Sequence, residues 1–348
     1  MSGGLPADLL MKIFATLEVP DLVCAGSVCS SWLHAYNCLR KLGACIQPQT
    51  PSLIYTSKSS GASAAGFYSL LEKKPYTFTL PDPPIRSRYL IGSAYGWIVT
   101  ADMRSELHLV NPITGDQIAL PSVTTIEQVK PVYDNNGSIH MYGCSRYTGP
   151  DGCLEPPSVF RLDKLRDYIF YKISFARGGD DHWTLKPLVV MEGLKECPLS
   201  KLYIAQAPCG DLLQIWKALE YSEDGSESEL DTVPYRHYTT VFKVYRVDLT
   251  AKKLVEISSL GDNVLFLGLN QSLCLCAREF PQLKGNHIYF TDDDENMVFG
   301  KNKCRKMGVF NLDIKMSEKI VSPRIWSNWP APVWIIPNPR KMNLALLS

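Results

Sequence analysis

Apolar and polar positions change their period near residue 46 of this chain. Before that point, Leu9, Leu10, Ile13, Phe14 and Leu17 recur at helical spacing, while Asp8, Lys12, Ala15, Thr16 and Glu18 fall on the other side. At about 100° per residue the apolar stripe covers an arc of about 140°, which predicts an amphipathic helix. Pro6 suits the first helical turn, where a missing N–H costs nothing. Pro20 ends this helix and opens the next, and Asp21 is favourable beside the positive N-terminal end. Leu22, Ala25, Cys29, Trp32, Leu33 and Tyr36 form a second stripe, which Gly26 divides into shorter helices. Helices this few bury too little surface to stand alone. Their remaining apolar face is expected to be covered, either by the following domain or by another protein.

Past residue 50 the helical period gives way to short apolar runs between turn signals. "YGWIVTADMRSELHLVNPITGDQIALPS" predicts strands over Tyr95–Thr100, Glu106–Asn111 and Gln117–Leu120, with Thr114-Gly115-Asp116 at the second turn. "PVYDNNGSIHMYG" predicts a hairpin turning at Asn136-Gly137. The three-strand pattern returns in "CGDLLQIWKALE" with "TTVFKVYRVDLTAKKLVEISSL", and again in "GNHIYFTDDD" with "MGVFNLDIKMSEKIVSP". In each repeat a glycine (Gly96, Gly210, Gly285) precedes the first strand, and Asn111, Asp248 or Asp313 ends the second. These Asn and Asp side chains are expected to bond the turn backbone. Repeated antiparallel units of this size predict a β-propeller, whose blades take about 40–50 residues each. The chain from residue 46 onward has room for six or seven; a pair of stacked sheets is the second reading. The expected fold class is α+β and multidomain: a small all-α module over residues 1–45, then a large all-β domain over 46–348, an irregular propeller.

Composition narrows the function. Of 348 residues, 36 are Lys or Arg and 35 Asp or Glu, so the net charge of +1 leaves no footprint for nucleic acid or an anionic membrane. No apolar run reaches the roughly 18 residues of a spanning helix. Asp8 and Lys12 interrupt the apolar start, so no secretion signal is expected. The 11 cysteines contain no CxxC pair, and reduced thiols in the cytoplasm or nucleus are the expectation.

Chemistry-bearing patterns are sparse. Asp292-x-Asp294-x-Asn296 opens like a calcium loop, but Met297 and Lys303 stand where Gly and Glu are needed. The acids at Asp292–Glu295 and the bases Lys301, Lys303, Arg305 and Lys306 are expected on the two arms of a polar hairpin loop, the leading candidate for target contact. The acidic run Glu220–Asp231 reads as a solvated loop. Neither His108 nor His182 has the neighbours of a nucleophile or metal site. No catalytic residue, metal or cofactor is expected. Trp326, Trp329 and Trp334, set among prolines, are expected to pack over the domain end.

Leu5-Pro6-x-Asp8-Leu9-Leu10-x-x-Ile13-Phe14-x-x-Leu17, then Asp21-Leu22, then Val28-Cys29-x-x-Trp32, resembles the F-box. The resemblance implies binding to the SKP-family adaptor of cullin–RING (SCF) ubiquitin ligases. It implies that Leu5, Pro6, Leu9, Leu10, Ile13, Phe14, Leu17, Leu22, Val28, Cys29 and Trp32 form the module's core and adaptor contact, without sorting the two roles. Gly3 and Gly4 stand where many F-boxes carry a bulky residue. "KLYIAQAPCGDLLQIW", "FKVYRVDL" and "WPAPVWIIP" resemble plant F-box proteins with a kelch-like, KIB-type propeller. That likeness implies a non-catalytic substrate receptor with an unidentified protein target. A scaffold outside the ligase and a propeller enzyme or sugar binder are the alternatives.

Overall fold

A computed structural model describes residues 5–45, 48–57, 61, 63–145, 147–148, 153–154, 156–165, 174–175, 184–185, 201–221, 238–293 and 306–338. The chain forms two compact units: residues 1–189 with 292–305 and 325–348, and residues 190–291 with 306–324.

The first unit begins with three helices, α1 (Ala7–Phe14), α2 (Val19–Gly26) and α3 (Ser30–Leu42). Pro6 sits one position before α1 rather than inside it, and its carbonyl accepts the N–H groups of Leu9 and Leu10, each at 3.1 Å. Pro20 lies in the first turn of α2 and Gly26 is its last residue, so the second stripe is divided where expected. Gly26 has a further reason to be glycine, because a Cβ there would lie 2.8 Å from the Tyr36 ring. Gly43 closes α3 in the left-handed conformation, its N–H donating to the Arg40 carbonyl. Leu10, Phe14, Leu22, Ala35, Tyr36 and Leu39 make the shared core, and the Phe14 and Trp32 rings meet edge-on at 5.4 Å.

A polar joint ties this core to the sheets. The buried Glu18 carboxylate accepts hydrogen bonds from Thr50 Oγ1 (2.7 Å) and Thr50 N (3.3 Å). Next to it, Val19 N donates to Gln49 Oε1 at 2.7 Å.

The β region is a succession of small sheets. Strands β1 (Ser52–Tyr55), β2 (Ala64–Ser69) and β3 (Lys74–Thr79) form a meander, and Val333–Ile335 completes it by pairing antiparallel with β1, Leu53 opposite Trp334. The two ends of the β region thus share one sheet. Strands β4 (Tyr89–Ala94), β5 (Trp97–Ala101), β6 (Leu107–Val110) and β7 (Gln117–Ala119) make the next sheet in chain order. The strand expected from Tyr95 is β5, which starts at Trp97, and β4 is an additional strand before it: Tyr95 and Gly96 are the turn between β4 and β5, both at positive φ. A Cβ on Gly96 would also strike Asn338 at 2.2 Å. The third sheet holds the expected hairpin, Val129–Tyr133 with Ile139–Cys144, joined by Ser158–Arg161. Its turn is longer than two residues: Asp134 spans it by accepting the N–H groups of Asn136 and Ser138 at 2.8 and 2.9 Å. Two short pairs follow, Tyr147–Thr148 with Cys153–Leu154 and Ser174–Phe175 with Thr184–Leu185.

In the second unit, Lys201–Gln206, Leu212–Tyr221, Tyr238–Asp248 and Lys253–Ile257 form a four-stranded antiparallel meander. The last sheet departs from the expected three-strand unit. It has five strands, and Asn263–Leu267 runs parallel to His287–Phe290. Gly285 lies in the turn before His287–Phe290, as expected, but the positive φ falls on Asn286, and a Cβ at Gly285 would meet the Gly261 carbonyl at 2.9 Å. Ile215, Phe242, Leu265, Ile288 and Phe310 form the core of this unit.

The turn residues act as their chemistry requires, with one change of position. Asn111 Oδ1 accepts the N–H groups of Ile113 (2.9 Å) and Thr114 (3.2 Å), and Asp248 Oδ1 accepts that of Ala251. In the last repeat Asn311 does this work, and Asp313 supplies a donor N–H instead of the acceptor.

The C-terminal tryptophans pack inward. Trp334 is fully buried, and Trp329 meets Tyr89 edge-on at 4.6 Å while its Nε1 donates to the Arg86 carbonyl at 3.0 Å. Asn338 reaches the second sheet, donating to the Tyr95 carbonyl and accepting from Asn111 Nδ2. Cys24, Cys29, Cys38, Cys45, Cys144, Cys209, Cys274 and Cys276 form no disulfide. Among the described residues no helix is long and apolar enough to cross a membrane.

Candidate functional site

The helices α1 to α3 divide the eleven F-box positions by burial. Leu10, Phe14 and Leu22 point into the shared core and are nearly closed to solvent. Leu17 and Trp32 are half-buried against that core. The other six are exposed: Leu5 (50%), Leu9 (42%), Ile13 (49%), Val28 (63%), Pro6 and Cys29. Sequence spacing had merged the two sets because Leu9 and Leu10, like Ile13 and Phe14, are neighbours within a single stripe. One side of each pair turns inward, and the other remains in water.

Leu5, Leu9 and Ile13 follow each other at four-residue spacing, so Leu9 and Ile13 lie one turn apart on one face of α1. Val23 on α2 and Leu33 on α3 are also exposed. Leu33 belonged to the second stripe; Val23 was missed because it falls off the helical period of Leu22 and Ala25. Cys29 precedes α3, and its thiol lies 3.1 Å from Ser31 Oγ. That hydrogen bond, followed by the Trp32 and Ser31 backbone N–H groups, holds the Cys29 thiol below its usual range.

Such a surface can do no acid–base chemistry. It can exclude water against a complementary apolar partner, and large side chains of this kind dominate interface energetics.

Elsewhere the expected sites fare differently. Asp292 and Asp293 are buried, so they are not the solvated arm of a polar loop; residues 294–305 of that loop lie outside the described residues. Most of the acidic run, residues 222–231, and His182 also lie outside them. His108 sits inside β6, opposite Thr100 and Ala119 in the ladder. Among the described residues no group of three His, Cys, Asp or Glu side chains is placed to hold a metal ion.

Comparisons with known proteins agree with this arrangement. Residues 3–38 match the F-box-like family model. Residues 67–189 and 186–311 match the KIB1-4 β-propeller model, which together span well over half of the chain. Among curated relatives, the Arabidopsis thaliana protein "F-box only protein 7" is 22% identical over 320 residues, covering 84% of this chain and 77% of its own. "Probable F-box protein At4g22060" of Arabidopsis thaliana is 22% identical over 377 residues, covering 90% of each. "F-box/kelch-repeat protein At1g57790", from the same plant, is 32% identical over 123 residues, covering 34% of this chain and 31% of its own. F-box proteins generally bind SKP-family adaptors and serve as SCF substrate receptors. With three F-box helices at its head and a run of small sheets behind them, the chain belongs to the KIB1-4 β-propeller family of plant-type F-box proteins.

Proposed function

We propose that this protein is the substrate-recognition subunit of an SCF-type cullin–RING ubiquitin ligase. The exposed row of Leu9 and Ile13 beside Leu5, on helices whose core is already complete without it, carries this reading. An adaptor would cover the row, and the propeller would hold a protein target. The receptor's contribution is effective concentration rather than bond chemistry, and ubiquitin transfer occurs on another subunit. Relatives named as F-box proteins support a non-catalytic role. Target contacts belong on loops between strands, because ladders use the backbone groups and sheet faces bury the apolar side chains. We expect the protein in the cytoplasm or nucleus, where the ligase works.

The test uses purified SKP-family adaptor and full-length protein. Leu9→Ala and Ile13→Ala should each weaken binding by at least about tenfold, as truncations of central interface residues do. Both residues are exposed, so thermal stability should change little. Unchanged adaptor affinity in the double variant defeats the reading. Adaptor binding without cullin co-purification points to a scaffold outside the ligase.

A further inference from the structure

Two thiols from the two large sheets of the second unit converge at one junction, one in solvent and one in the core. Cys209 is exposed on the turn between Lys201–Gln206 and Leu212–Tyr221. Cys274 is buried in Leu273–Cys276, the edge strand of the five-stranded sheet. Lys201–Gln206 is itself an edge strand, and it packs beside Leu273–Cys276. Ala207, which follows it, shares the buried core with Cys274. Two hydrogen bonds of 2.8 Å, from Ala207 N to the Asp211 carbonyl and from Gly210 N to the Ala207 carbonyl, close the turn. So tight a turn spans less than about 7 Å, which holds Cys209 close to the Ala207 end of that core.

The Cys274 thiol registers that neighbour. Burial pushes it up to about 12, and the next influence is the charge of Cys209, ahead of that of Cys276. Cys276 stands two residues along the same strand, on the same face, about 7 Å away. Coulomb interactions weaken with distance and with exposure, and Cys209 is the more exposed of the two, so its sulfur lies at least as near. A disulfide needs Cα atoms about 4.4–6.8 Å apart. The turn has room to make that adjustment. Pro208, Cys209 and Gly210 are all exposed, and apart from its chain neighbours no atom lies within 4 Å of where a Cβ on Gly210 would stand.

We propose that Cys209 and Cys274 form a redox latch, a reversible disulfide that ties the four-stranded meander to the five-stranded sheet. The exposed thiol reacts first. With glutathione disulfide as the oxidant, the Cys209 sulfur attacks one glutathione sulfur, loses its proton, and releases the other half as glutathione thiol. The Cys274 sulfur then attacks the Cys209 sulfur, loses its proton, and expels the second glutathione as thiol. Two protein thiols are oxidised, and one glutathione disulfide is reduced to two thiols. Burial keeps Cys274 from reacting on its own, so the latch closes only through Cys209. This assignment is independent of adaptor binding.

The full chain is incubated with glutathione disulfide, the remaining thiols are blocked with iodoacetamide, and peptides are mapped by mass spectrometry without reduction. The expected product is a Cys209–Cys274 linked peptide that dithiothreitol separates. Cys274→Ser should hold Cys209 as its glutathione adduct. Cys209→Ser should abolish the link and leave Cys274 a free thiol. Oxidation should also slow amide hydrogen exchange of residues 207–211 several-fold in the parent chain and in neither variant. If Cys274→Ser does not fold, Cys209→Ser, on the exposed turn, carries the test. Absence of the linked peptide, a Cys209–Cys276 link in its place, or oxidation of Cys274 in folded Cys209→Ser would overturn the proposal. A link that leaves exchange of the turn unchanged would overturn the latch as well.

Discussion

The helical module and the sheets treat their apolar side chains in opposite ways. Among the described residues, seven of the eighteen exposed large hydrophobic side chains belong to the first 42 residues. The sheet that joins the ends of the β region instead closes its apolar strands away: Leu53, Ile54, Val333 and Trp334 are all fully buried. The difference follows from backbone chemistry. A helix satisfies its N–H and C=O groups within itself, so a short one can keep a second apolar face free for a partner. A strand must find neighbours for its backbone, and recruiting them covers its side chains as well.

Adjacent residues of α1 offer the sharpest test of that contrast. Phe14 is 2% exposed and packs on Trp32, whereas Ile13 is 49% exposed. Phe14→Ala should cost about 3–5 kcal/mol and unfold the module. Ile13→Ala should leave stability within about 0.5 kcal/mol and act only on adaptor affinity. Hydrogen exchange of residues 5–45 distinguishes the outcomes; equal loss of protection in both variants would remove the distinction between core and docking face.

A smaller effect separates two turns of the β region. Asn111 is fully buried and holds two turn N–H groups and the Asn338 carbonyl, so Asn111→Ala should cost about 1–3 kcal/mol by orphaning buried partners. Asp248 holds one N–H, that of Ala251, in an exposed bond, and Asp248→Ala should cost about 1 kcal/mol or less. Urea unfolding of both variants orders them, and a larger loss at Asp248 would contradict the assignment.

The smallest expected effect lies at the joint between the two regions. Burial raises the Glu18 carboxyl above its usual range, partly offset by the Thr50 hydrogen bonds. A raised folded-state value means that the folded form holds the proton more tightly. The stabilising contribution is then complete below the ordinary glutamate range and is lost as pH rises through the raised value. Glu18→Gln keeps an acceptor for Thr50 and should flatten stability against pH from 4 to 7. A slope identical to that of the parent chain would show that Glu18 does not titrate across folding.

Much of this was legible in order of locality. The Leu9–Leu17 stripe, the break at Gly26 and the hairpin around Asn136-Gly137 depend on neighbours within one or two turns, and they stand close to where the pattern puts them. The acceptor at the last repeated turn was misplaced by two residues because Asn311 and Asp313 are chemically alike, and only the backbone path shows which one faces the turn. The strand β4 was missed because Tyr89–Ala94 carries small and polar residues at its end; pairing with β5, not its own pattern, makes it a strand.

The sequence by itself determined the helices, the turn chemistry, the repeated short strands and the F-box likeness, because each rests on residues near one another in the chain. Tertiary structure decided which half of each apolar pair became core, that Val333–Ile335 lies beside β1, that Asn263–Leu267 pairs parallel with His287–Phe290, and that Asp292 and Asp293 are buried. Those outcomes depend on segments that meet only after folding. Burial and strand pairing are properties of the neighbour across the contact, and no local pattern names that neighbour.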